Sequence, residues 1–195
     1  MLSPAQLQTL KADLQTNTNT ILISGVATPI NTVASEAFNA VPKNVSFAQE
    51  ICNQWYNLPA SPSFWVWLST STLAAVGMAI KMSDVGNLTT ANSTRLQVSF
   101  QVRPGGFTPA NQDDRSLFGG LFSVSGASGT RANLLAIWQR LATRIEKMFA
   151  TGTGTQVTGD LNSDGSVTVG SPGVLVVDGS TNPLTGNDVL EAWGS

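Results

Sequence analysis

Asp160, Asn162, Asp164 and Gly165 stand in the order D-x-N-x-D-G, the opening half of a calcium loop. Calcium takes several oxygen ligands, and this spacing supplies side-chain oxygens at alternate positions before a glycine that permits a sharp turn. The position where a bidentate Glu would close the coordination is Ser171, and the residues beyond the glycine read as strand rather than helix. A plain turn between Val157 and Val167 accounts for the same Asn, Ser, Asp and Gly. The only adjacent acids, Asp113 and Asp114, are the sole footing for carboxylate hydrolysis, which needs two acids facing each other across a substrate. Histidine, the usual general base and commonest metal ligand, does not occur in the chain. Serine triads, Cys–His pairs and most zinc sites are thereby excluded. The single cysteine, Cys52, lies between Ile51 and Asn53 in a helical stretch and reads as a buried, inert thiol. No phosphate-loop or dinucleotide motif is present, so no cofactor is called for. These residues predict a structural or assembly protein, not an enzyme.

Helices must position most of the chain. Ser3-Pro4-Ala5-Gln6 predicts a capped start, with Leu2 and Leu7 stapled across it and Leu7, Leu10 and Leu14 as an apolar stripe that ends near 16–20. ILISGVATPI reads as strand and NTVASEAFNAV as a short helix. Ser46 to Tyr56 predicts a helix capped by Ser46 and Gln49 and stopped by Leu58-Pro59. Phe64, Trp65 and Trp67 cannot share one helix face, so they form a buried plug or an interface. The uncharged run Phe64–Ile80 is short for a membrane span and carries Ser69-Thr70-Ser71-Thr72 at its centre, so it reads as buried core. Helices are expected near 89–102 and 113–122, the latter weakened by Gly119-Gly120, with a loop at 123–129.

Residues 131–150 read as the strongest helix, with Leu134, Trp138, Leu141, Ile145 and Met148 as its stripe. Arg140, Arg144 and Lys147 fall on another face, either solvated or a polar subunit contact. After Thr151 the character changes. Glycines make a hinge, Val157–Val169 and Val174–Val177 (with Val174 and Val176 as interface candidates) predict a small β-hairpin, and Thr185 caps a terminal helix bearing Trp193. The expected fold is mainly α: a helical-bundle body over 1–151, with an insertion at about 18–45, and an extended C-terminal arm over 152–195. Deleting 152–195 should then leave a folded body that no longer assembles.

Composition points the same way. Charged residues are 11% of the chain, and a surface of Thr, Ser, Asn and Gln repels its own copies weakly. The net charge of −2 gives no footprint for sequence-specific nucleic-acid binding. The N-terminus reads as no signal peptide.

Four stretches resemble a family of small tailed-bacteriophage virion proteins of the head–tail region: PAQLQTLKADLQTN, YNLPASPSFWVW, RLATRIEKMFATGTGT and LTGNDVLEAW. The insertion at 18–45 and the longer tail depart from that pattern. The resemblance implies a neck component of adaptor or connector type, found in the virion after assembly in the host cytoplasm. It would form a ring of about twelve copies between portal and tail, touch a further neck or tail protein, and line the passage of DNA without reading sequence. No membrane is involved in that expectation. The alternatives are a tail-completion or minor tail protein, or a calcium-dependent binding module resting on Asp160, Asn162 and Asp164.

Overall fold

In a computed structural model the described residues are 2–124, 126–179 and 181–195. Ser125 of the loop expected at 123–129 and Ser180 of the expected arm lie outside them. The described residues are mainly helical. In chain order, α1 (Pro4–Thr16) precedes the hairpin β1 (Thr20–Ile23) and β2 (Val26–Pro29), then α2 (Ile30–Asn39) and α3 (Val45–Ile51). A π-helical turn, Cys52–Tyr56, leads to β3 (Trp65–Trp67), α4 (Leu73–Ala79), α5 (Met82–Val85) and α6 (Thr90–Val102). Next come α7 (Gln112–Leu121), α8 (Ser128–Trp138), β4 (Gln139–Leu141), α9 (Arg144–Phe149) and α10 (Gly186–Gly194). No helix among the described residues is long and apolar enough to cross a membrane.

The chain divides into two compact units. The first comprises Met1–Pro62, Ala142–Phe149 and Val176–Ser195. α1 begins as its sequence predicts: Ser3 accepts from the Gln6 amide while the Gln6 side chain accepts from the Ser3 amide, satisfying two orphan helix donors. Its Leu7, Leu10 and Leu14 are buried. α10 opens on a second capping box, Thr185 with Asp188, and packs Val189, Leu190 and Ala192 against α1, α2 and α3. α3 starts one residue before Ser46, because Asn44 rather than Ser46 caps it, accepting from the Phe47 amide at 3.1 Å.

The second unit comprises Ser63–Leu141 and Ala150–Leu175. Its core is a run of edge-on aromatic rings: Phe100 on Phe107 at 5.5 Å, Phe107 on Phe118 at 4.8 Å and Phe118 on Trp138 at 5.4 Å. Each such pair adds about 0.5–1.5 kcal/mol beyond the area it buries. Trp67, Val76, Leu134 and Leu161 close around them. β3 and β4 run antiparallel with Val66 opposite Arg140.

Two expectations need correction. The long helix over 131–150 is broken: α8 ends at Trp138, residues 139–141 form β4, and α9 begins at Arg144. The apolar stripe had two destinations, since Leu134 and Trp138 are buried in the second unit and Ile145 in the first, while Leu141 is exposed. Val66 is fully buried, so its strand needs backbone partners, which a helix at 139–141 could not supply. The residues expected as an arm, 152–195, are also divided. Residues 150–175 fold back in the second unit and 176–195 enter the first. The hairpin expected between Val157–Val169 and Val174–Val177 is not among the described strands: residues 151–174 are tied instead by isolated antiparallel bridges, Thr151 to Val174, Thr155 to Ser171 and Leu161 to Val167.

Candidate functional site

The aromatic segment and the glycine-rich stretch after α9 meet within the second unit. β3 is flanked on one side by β4 and on the other by the returning tail: Trp65 donates its amide to the Gly154 carbonyl at 2.7 Å, and Trp67 donates to Gly173 at 3.0 Å. Gly154, at φ +70°, lies directly against Phe64, and an added Cβ there would sit 2.2 Å from the ring. No other residue type satisfies both demands. Trp67 is buried with the Arg115 guanidinium 4.6 Å from its ring, so it is core and not contact surface. Phe64 and Trp65 are half-buried, whereas Val174 and Val176 are exposed. Arg140, on β4, donates to the Leu141 carbonyl. Trp193, half-buried on α10, packs against the core of the first unit.

The Asp160–Gly165 segment is a tight turn whose side chains are engaged by the protein. Asp160 pairs with Arg131 at 2.9 Å and accepts the Leu161 amide. Asn162 donates to the Ser166 hydroxyl. Asp164 accepts from both the hydroxyl and the amide of Ser166, and those bonds hold its carboxyl below the ordinary range. The turn lies on α7, where Gly119 leaves room for it: a Cβ there would meet the Asn162 carbonyl oxygen at 2.0 Å. This explains a glycine inside a helix that otherwise gains nothing from one. Asp113 and Asp114 do not face each other as a pair. Asp114 is buried, accepts the Thr108 amide and is ion-paired to Arg103, while Asp113 is exposed in the first turn of α7.

A polar recess belongs to the first unit. It is about 540 Å³ and is lined by the end of α1 and residues 17–19, by Trp55, Tyr56 and Ser61, and by Arg144, Lys147 and Met148 of α9. The π-helical turn places Tyr56 in the core, nearly fully buried, and leaves Trp55 at the rim. Tyr56 donates to Asp13 at 2.5 Å, and Asn17 donates to the same oxygen at 3.1 Å. Burial, then the bond to Asp13, pushes the Tyr56 hydroxyl pKa far up, so it remains a donor. Across the recess Arg144 spreads its guanidinium 3.7 Å over the Trp55 ring, and Lys147 donates to the Pro62 carbonyl at 3.1 Å.

α9 is set in place by Thr143 and Glu146, each accepting the other's backbone amide, and by the Arg144 amide bonded to the Leu58 carbonyl. No family model matches this chain, and no curated protein or solved structure does so. The sequence reading marked Arg144 and Lys147 but missed their neighbours Asp13, Trp55 and Tyr56. One signal was present: Thr143-x-x-Glu146 is a capping-box pattern, and it marked a helix start inside the supposed long helix.

Proposed function

We propose that this chain is a non-enzymatic structural subunit of a tailed-phage virion, assembling as a ring in the neck between portal and tail. The observation that carries this reading is that the stretches resembling the phage family are hydrogen-bonded to one another within the first unit. Asp13 of the first stretch accepts from Tyr56 of the second. Asn57 of the second is bonded in both directions to Leu184 of the fourth, at 2.9 and 3.1 Å. The second stretch also bonds to the third, through Leu58 with Arg144 and Ala60 with Ala142. Residues similar to one family are thus joined in one unit, where the insertion at 18–45 contributes a hairpin and a helix whose Ile30, Val33 and Ala37 enter the same core. The arm in this reading is residues 150–175, whose backbone bonds to β3 are the kind a neighbouring copy can also accept.

Native mass measurement of the purified chain, with and without a chelator, tests the proposal. A closed ring of about twelve copies, indifferent to chelator, is the expected result. A chain that stays monomeric at high concentration and with portal protein present would overturn it. Stabilisation by calcium would favour the alternative binding module.

A further inference from the structure

We infer that the recess between α1 and α9 is a receptor for an acidic peptide segment, with one carboxylate held in the fork of Arg144. Three observations carry this. Arg144 is oriented by the Trp55 ring at 3.7 Å, yet its guanidinium makes no hydrogen bond or ion pair with any acceptor among the described residues. A stacked guanidinium presents its donors in a fixed plane, the geometry that matches a carboxylate with two parallel bonds. Next, the one carboxylate lining the recess, Asp13, is already committed to Tyr56 and Asn17 and does not reach across to neutralise Arg144. Finally, Lys147 is held to the Pro62 carbonyl with protons to spare, and Thr16, Thr18, Asn19 and Ser61 line the same recess with neutral groups that a peptide backbone can bond.

The volume, about 540 Å³, lies within the range of pockets that enclose a small ligand. A nucleic-acid backbone fits less well, because it requires a track of cations, and here two cations share the recess with an aspartate. The segment comes either from a second copy of this chain, which carries twelve acids, or from an adjoining protein. The inference leans on the assembly reading only for that source.

The test uses the full chain, labelled with nitrogen-15, and a capped Gly-Glu-Gly peptide as probe, with Gly-Gln-Gly as control. The Trp55 indole N–H and Arg144 Nε–H resonances should shift saturably with the glutamyl peptide and not with the glutaminyl one. Arg144→Lys keeps the charge but loses the fork and should weaken binding about tenfold. Lys147→Gln, which leaves the Trp55 stack intact, should weaken it by a smaller factor and covers the case in which the Arg144 variant misfolds. Sedimentation then separates the sources. Self-association lost in Arg144→Lys assigns the segment to a second copy, and unchanged self-association with peptide binding lost assigns it to another protein. Equal shifts with both peptides, or shifts with a short DNA duplex but not with the glutamyl peptide, would overturn the inference. The ring can fail while this binding persists, or persist while this binding fails, so the two readings fall separately.

Discussion

At Gly119 two preferences of the chain oppose each other. Alanine there would gain about 1 kcal/mol of helix propensity. It would also push a methyl to 2.0 Å from the Asn162 carbonyl oxygen, an overpacking that costs about 1–3 kcal/mol. Gly119→Ala is therefore expected to lower the urea midpoint, and a midpoint above that of the parent would show that the turn shifts freely. Cys52 makes a second residue-level case. Burial, and secondarily the charge of Asp188, raise its thiol to about 12, and its Sγ donates to the Ala48 carbonyl. Native protein at neutral pH should resist a thiol reagent and react fully only once unfolded. Prompt stoichiometric labelling of the folded chain would contradict this burial.

Between α5 and α8 a single carboxylate acts as the fastener. Asp84 is buried and accepts the Thr130 amide at 2.5 Å, while Thr130 in turn accepts the Lys81 amide. Burial alone would raise the Asp84 carboxyl, but hydrogen bonds from Thr130 and Ser83, with the Lys81 charge, outweigh it and hold the carboxyl below its ordinary value. A folded value below the unfolded one means the contribution is complete above about pH 4 and fades as acid takes the pH through the folded value. Asp84→Asn should lower stability at neutral pH and flatten its decline in acid, as read from urea midpoints at several pH values. Element by element, local signals were read well where they were self-contained. The caps at Ser3 and Thr185 and the Leu7–Leu10–Leu14 stripe all stand in the structure. The break at 139–141 escaped notice because it follows from a distant strand, 65–67, that requires a partner. The recess escaped for a related reason: Asp13, Trp55 and Arg144 are far apart in sequence, and only the packing of α1, the π-helical turn and α9 unites them.

The whole molecule is organised by a chain that leaves and re-enters its units. Residues 63–175 contain all of the second unit, so this fragment alone should keep the near-ultraviolet dichroism of the Phe118–Trp138 core. Residues 1–62 alone should not fold, because Ile145 of α9 and Val189 and Leu190 of α10 complete their core. For the same reason deletion of 152–195 takes core away from the first unit and unfolds it, where the sequence had predicted an intact body; circular dichroism of the truncated chain reads the difference. One feature, α10 docked on α1, α2 and α3, has a consequence for synthesis. Chains usually fold from the N-terminus as the ribosome delivers them, at about 5–20 residues per second. Here the earliest helices wait for the latest one, while the middle of the chain is free to settle first. A product terminated before α10 therefore leaves the core beneath α9, which Ile145 shares with Val189 and Leu190, open to water until degradation removes it.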